Sequence, residues 1–291
     1  MEGRIVLGVG GLYTVRDARG TEYVLRAKGK FRRLQRTPLV GDLVRFTPGT
    51  GEEHGWVDDI LPRCCEFVRP PAANVQLMVI VTAPVPAPDL LLVDRLLVSV
   101  RQQRMDALLV LNKQDLDPSL GVTLAEEYEK SGIPFLPVSA LMAQGLDDLA
   151  DRMRGKLCCM AGQSGVGKSS ILNALLGTSL ETGAVSRRAD RGRQTTRRAE
   201  LLEREGIAVL DTPGFSLWET SQAADPVTLQ DYYPELFPYM GQCRFKPCYH
   251  AAEPGCAVLQ AEAQGELNLA RMERYRILLN EWKQTWRERY D

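Results

Sequence analysis

Gly162-Gln163-Ser164-Gly165-Val166-Gly167-Lys168-Ser169, followed by Ser170, has the residue types and spacing of a loop that wraps the phosphates of a nucleotide. Glycines let a backbone curl until its N–H groups converge on an anion. Lys168 would bring a positive charge to the β- and γ-phosphates, and the Ser169 hydroxyl suits a magnesium ion. A helix beginning at Lys168 would aim its positive end at the same anion.

A phosphate loop does not choose the base. Asn112-Lys113-Gln114-Asp115 does, because it follows the apolar run Ala107–Leu111 and so lies at the carboxyl end of a strand, where open α/β sheets bind ligands. A carboxylate at Asp115 can accept from guanine N1–H and the 2-amino group, a pair that adenine lacks. The Lys113 stem can lie over the base and Asn112 can brace the loop. Ser139-Ala140, after the strand Phe135–Val138, offers a backbone N–H to guanine O6. Asp211-Thr212-Pro213-Gly214 completes the set: Asp211 reaches the magnesium side and the Gly214 N–H the γ-phosphate. Between the two lies Gly192-Arg193-Gln194-Thr195-Thr196-Arg197, whose Thr196 can close over magnesium only while a γ-phosphate is present. Lys168, Thr196, Asp211 and Gly214 are thus the expected catalytic set for GTP hydrolysis. Residue 215, after the D-x-x-G motif, is Phe rather than a water-orienting Gln, so slow intrinsic turnover is expected.

The order of these motifs is permuted. The base motifs precede the phosphate loop, and downstream of Asp211 the only asparagines are Asn268 and Asn280, neither opening an N-K-x-D. The helix after Ser139-Ala140 runs directly into the phosphate-loop strand, joining what would be the two ends of an unpermuted domain. Chain ends commonly lie close together, so such a rearrangement is tolerated. Further along, Cys243, Cys248, His250 and Cys256 form a Cys3His set. Three thiolates and an imidazole suit a closed, structural zinc site.

These residues need elements to hold them. The patches Ile5–Leu7, Leu12–Val15, Tyr23–Leu25, Leu43–Phe46 and Trp56–Ile60, separated by glycine turns, predict a five-stranded oligonucleotide-binding barrel; a barrel of SH3 type would share the pattern. Alternating strands (Val75–Val81, Ala107–Leu111, Phe135–Val138, Leu157–Met160, Ile207–Leu210) and helices (Leu90–Gln103, Leu124–Lys130, Leu146–Met153, Lys168–Leu176) predict a parallel sheet covered on both faces. A long helix over Leu259–Arg289 carries a packing stripe of Leu267, Met272, Tyr275, Leu278, Leu279, Trp282 and Trp286. The expected domains are a barrel over 1–65, a permuted nucleotide domain over 66–222 and a helical zinc domain over 223–291.

Composition frames the partners. With 36 basic and 37 acidic residues the net charge is −1, which gives no global pull toward nucleic acid. Charge is nonetheless concentrated: Arg26–Arg36 holds six basic residues and no acid, and Arg187–Arg198 six arginines against Asp190. Both are electrostatic footprints for a phosphate-rich partner. No stretch approaches the ~18 uninterrupted apolar residues of a membrane span, and Met1–Leu12 lacks a secretory layout, so a cytoplasmic chain is expected. The odd count of seven cysteines argues against a disulfide framework, and Cys64-Cys65 and Cys158-Cys159 read as small apolar residues.

Together, the barrel, Asn112-Lys113-Gln114-Asp115, the loop from Gly162 to Ser170, Gly192-Arg-Gln-Thr-Thr, Asp211-Thr-Pro-Gly-Phe215 and the Cys3His set resemble the permuted, small-subunit-dependent GTPases of the RsgA (YjeQ) type, over nearly the whole chain. The resemblance implies a monomeric late assembly factor that binds GTP or GDP with Mg2+, one structural Zn2+, and the 30S subunit and its rRNA. Members of that family often carry histidine where this chain has Gln194. Competing readings are an RNA-binding protein that hardly hydrolyses GTP, and a GTPase acting on tRNA or membrane targeting.

Overall fold

Eleven strands join into one continuous sheet in the computed structural model, which describes residues 1–50, 53–67, 71–178, 200–211 and 225–288. The first part of the sheet rolls up. Strands β1 (Glu2–Val9), β2 (Leu12–Asp17) and β3 (Glu22–Ala27) form a meander, and α1 (Lys30–Arg33) leads to β4 (Leu43–Thr47) and β5 (Gly55–Ile60). β3 pairs in parallel with β5, β5 antiparallel with β4, and β4 closes on β1, opposing Glu2–Arg4 to Leu43–Arg45. This is a closed five-stranded barrel of the oligonucleotide-binding type. Alternation fills it: Ile5, Val15, Leu25, Val44, Phe46 and Val57 are buried inside. The basic stretch after β3 is not all loop. It contains α1, whose Phe31 is buried and packs with the barrel core while Arg32 and Arg33 stay exposed.

A two-stranded ribbon, β6 (Glu66–Phe67) with β7 (Ala72–Ala73), leads into the second part. Here β8 (Leu77–Thr82), α2 (Leu90–Gln102), β9 (Asp106–Leu111), α3 (Pro118–Tyr128), β10 (Phe135–Pro137), α4 (Leu146–Met153), β11 (Leu157–Ala161) and α5 (Lys168–Leu176) alternate. The sheet order is β10-β9-β8-β11-β13, all parallel, with β12 (Glu200–Arg204) antiparallel beside β13 (Ile207–Asp211). Each parallel strand sends alternate residues to opposite faces. Met78 and Ile80 pack with Leu96, Leu97 and Tyr128 from α2 and α3, whereas Val79 and Val81 pack with Leu149, Met153 and Ile171 from α4 and α5. Burial on both faces explains the uninterrupted apolar run Leu77–Val81. Cys158 and Cys159 are fully buried in these layers; Cys64, in contrast, is exposed.

Two expected helices differ. The one expected over Leu124–Lys130 begins at Pro118, because Asp117 caps it by accepting from the N–H groups of Ser119 and Leu120 and proline suits the first turn. The long C-terminal helix is two, α6 (Ala257–Ala263) and α7 (Leu269–Glu288), broken around Gly265 at φ +75°. Leu267 belongs to the packing stripe from within the break and is 5% exposed. Short 3-10 turns at Pro226–Tyr232 and Pro234–Tyr239 complete this C-terminal part.

The barrel and the parallel sheet are hydrogen-bonded to each other. Leu7 of β1 lies opposite Glu200 of β12, and Arg16 of β2 pairs with Glu203 at 2.9 Å.

Candidate functional site

The carboxyl ends of β8, β9 and β11 lie side by side, and the two main motifs leave from them. Asn112 follows the last residue of β9, and its N–H donates to Thr82 O at 2.8 Å. Gly162 follows the last residue of β11. Two glycines are required by the path. A Cβ on Gly162 (φ +132°) would stand 2.1 Å from Val81 O, and one on Gly167 (φ +92°) would stand 2.3 Å from Asn112 Nδ2. α5 starts at Lys168, so its unpaired first-turn amides, with Ser169 and Ser170 among them, adjoin the same loop.

Asn112 ties three segments together. Its Nδ2 donates to Val166 O at 2.9 Å inside the phosphate loop, and its Oδ1 accepts from Ala140 N–H at 3.1 Å. With the Asn112 side chain 1% exposed, both bonds are shielded from water. Lys113, at φ +59°, donates to Val85 O at 2.7 Å and Gly165 O at 2.8 Å. Its stem therefore lies across the gap between base motif and phosphate loop. The Gln114 N–H donates to Val138 O at 3.1 Å. Asp115 accepts from the Ser139 hydroxyl at 2.5 Å, and that hydroxyl accepts from Met142 N–H at 3.2 Å. Ser139 thus acts through its side chain, by positioning Asp115. Of the backbone N–H groups of Ser139-Ala140, one of which is expected to meet guanine O6, that of Ser139 bonds Gln144 O at 3.0 Å and that of Ala140 bonds Asn112, so an O6 contact would share a donor.

Lys168 donates to the carbonyls of Gly162 at 2.7 Å and Gln163 at 2.9 Å. Burial lowers its pKa below the ordinary lysine value, and an arriving phosphate would act in the opposite direction by stabilising the ammonium. Gln163 is half-buried, Ser164 and Gly165 are exposed and Val166 is buried. The structure therefore brings Asn112, Lys113, Gln114, Asp115, Ser139, Ala140 and residues 162–170 together at the carboxyl ends of the parallel strands. Asp211 ends β13, next to β11 in that sheet. Its side chain, Gly214, Phe215, Gln194, Thr195, Thr196 and the arginine-rich stretch 187–198 lie outside the described residues.

Thirty residues further, a second cluster forms. The donor atoms of Cys243, Cys248, His250 and Cys256 all lie within 4.8 Å of one another, and all four residues are buried. Cys243 Sγ stands 3.6 Å from His250 Nδ1 and 3.8 Å from Cys256 Sγ, and His250 Nδ1 is 3.3 Å from Cys256 Sγ. Around a zinc ion with Zn–S ~2.3 Å and Zn–N ~2.0–2.1 Å, tetrahedral ligands stand about 3.5–3.8 Å apart, so the set fits that ion. His250 Nε2 lies 2.7 Å from Gln230 Oε1, which accepts from it and turns Nδ1 toward the cysteines. Burial lowers the His250 pKa, which favours the neutral imidazole a metal needs. The loop between ligands is folded by Glu253. Burial acts to raise its pKa, but backbone N–H groups, among them those of Tyr249, Ala251 and Ala252, bond the carboxylate and hold it at about 2.

Two features escaped the sequence. Gln230 lies in no motif, and nothing in its neighbourhood announces it. The other is Asp94, an acid inside the apolar run Leu90–Val100, and that interruption was a signal. Asp94 is 1% exposed and receives Arg271 at 2.5 Å and Arg274 at 2.6 Å from α7, together with the Tyr128 hydroxyl. Arg271 also bonds Glu235 and lies over the Tyr128 and Tyr233 rings. This network fastens the Cys3His part to α2 and α3.

Comparison with known proteins agrees along the chain. The family model described as RsgA GTPase matches residues 60–221, and that of the RsgA N-terminal domain matches residues 2–57. A relative from Ruminiclostridium cellulolyticum, named small ribosomal subunit biogenesis GTPase RsgA, is 41% identical over 94% of this chain and 91% of its own. One of the same name from Geobacillus kaustophilus is 41% identical over 97% of this chain and 98% of its own. Among solved structures, YjeQ from Thermotoga maritima superposes with a TM-score of 0.82 at 31% identity, covering 97% of this chain and 98% of that one. YloQ, described as a circularly permuted GTPase, gives a TM-score of 0.79 at 32% identity, covering 98% of this chain and 95% of that one.

Proposed function

The chain belongs to the RsgA family of circularly permuted GTPases and is a GTP-hydrolysing enzyme of small ribosomal subunit biogenesis, and from that premise we propose how its residues divide the work. Asp115, held by Ser139, selects guanine, and the Lys113 stem covers the base. The amides of residues 162–170 and Lys168 take the phosphates and hold the γ-phosphate in position for attack. Ser169 and Thr196 would hold Mg2+, with Asp211 behind, and the ion would neutralise charge on the phosphate oxygens. The Gly214 N–H bonds the γ-phosphate, so Thr196 and Gly214 are the groups that distinguish GTP from GDP.

Phe215 leaves the attacking water without the usual orienting amide, so the free enzyme turns over slowly and the assembling subunit completes the site. We place the rRNA contact on the basic side of the barrel, around Arg26–Arg36, and assign a structural Zn2+ to Cys243, Cys248, His250 and Cys256. No helix among the described residues is long and apolar enough to cross a membrane, and we read the protein as a cytoplasmic monomer. The domain limits we adopt are 1–65, 66–222 and 223–291.

The observation that carries this reading is the bond from Asn112 to Val166, which joins a guanine motif to a phosphate loop that comes after it in the chain. The test is single-turnover hydrolysis of GTP with and without 30S subunits. Hydrolysis that the subunits accelerate at least tenfold is expected; equal rates in both conditions refute the proposed completion of the site.

A further inference from the structure

Trp56 is the second residue of β5, on the outer face of the barrel, and is 45% exposed. Register forces it there: its neighbour Val57 is fully buried, and strand side chains alternate. Directly across the strand pairs are Arg26 on β3 and Thr47 on β4. Val24, two residues before Arg26 and on the same face, is also 45% exposed. An indole and an isopropyl group thus form a flat apolar step on a rigid sheet, with a guanidinium at its edge.

The surrounding charge says what the step fits. Lys28 is paired with Asp58 at 2.5 Å and Lys30 with Asp59 at 3.8 Å, which neutralises the nearby acids. Arg26, Arg32 and Arg33 are exposed and make no ion pair among the described residues. Arg26, a cation directly across from an exposed aromatic plane, matches the needs of an unpaired nucleotide, whose base stacks while its phosphate meets an arginine. A base inside a duplex has no free face to offer, and an apolar peptide would leave the arginines without partners.

We propose that Trp56 is a stacking platform for an unpaired base of RNA, with Arg26 holding the adjoining phosphate. This rests on the reading that the barrel meets the RNA of the small subunit. Stacking tolerates any base, so the site recognises a strand that has not paired, which is the condition of rRNA before a helix closes.

The test uses the full chain with a GTP analogue, 30S subunits, and a ten-nucleotide oligoadenylate as probe. Trp56→Ala should weaken both interactions about tenfold or more, and Trp56→Phe should restore both to within about threefold. Oligoadenylate should quench tryptophan fluorescence of the parent and leave that of Trp56→Phe unchanged. GTP binding of every variant should equal the parent's, since Trp56 is remote from the nucleotide loops. Parent-like binding of both ligands by Trp56→Ala overturns the proposal. So does a loss toward 30S alone with the oligoadenylate affinity and quench intact, which would make the face a protein dock. A parent chain that binds neither ligand removes the barrel–RNA reading itself and the platform with it.

Discussion

Asp115 uses Oδ1 to accept from Ser139 and has Oδ2 without a partner among the described residues, which leaves an acceptor for a base. Asp115→Asn replaces an acceptor with a donor. It should weaken GTP binding by about 10- to 100-fold, from the ~1–3 kcal/mol of an unmade polar pair, and favour xanthine nucleotides, whose C2 substituent is an acceptor. Competition binding with GTP, ATP and XTP reads this directly, and ATP matching GTP in the parent would end the guanine assignment. Residue types and spacing made Asp115, Asn112 and Lys168 legible in the sequence. They did not reveal that the serine of Ser139-Ala140 works through its hydroxyl, because a hydroxyl and an amide on one residue are indistinguishable until the neighbouring loop is placed.

Among the elements, the Cys3His loop leans hardest on what surrounds it. Removing Zn2+ with a chelator should unfold the part after Asp225 and spare GTP binding, since metal binding there is folding free energy. Gln230→Ala frees the His250 ring, which is now held at 2.7 Å, and should lower zinc affinity about 10- to 100-fold as measured against a competing chelator. An unchanged affinity would show that the cysteines alone orient the imidazole. Strand and helix identities were readable because fully buried strands and amphipathic helices have different periods. Boundaries were not: the Asp117 cap moved one helix forward, and Gly265 cut another in two. Both are effects of single residues on local backbone, which an averaged apolar pattern does not register.

Over the whole molecule, two links join the three parts. Asp94 holds Arg271 and Arg274 in a setting almost without water, and Asp94→Ala would leave Arg271 to Glu235 and Arg274 to Glu127 alone, with hydrogen bonds unmade on both guanidinium groups, which should cost about 1–3 kcal/mol in urea unfolding. A cost below ~1 kcal/mol would mean that the arginines reach solvent. The other link is β12, which begins directly after the segment carrying Thr196 and is paired with the barrel. GTP analogues should therefore raise affinity for the 30S subunit over GDP, by 5- to 150-fold for ordinary couplings, and Thr196→Ala should remove most of that difference. Equal affinities at one salt concentration would refute it. The same pair has a consequence in time. Leu7 meets Glu200 about 190 residues later in the chain, which at ~5–20 residues per second of synthesis is a delay of about 10–40 s. Arg4 meets Leu43 within seconds. The barrel must therefore close on its own, and the nucleotide hairpin is laid against an edge that has already set. Residues 1–65 alone should unfold cooperatively on heating, which circular dichroism would detect; a broad, non-cooperative melt would show that the barrel needs the later chain.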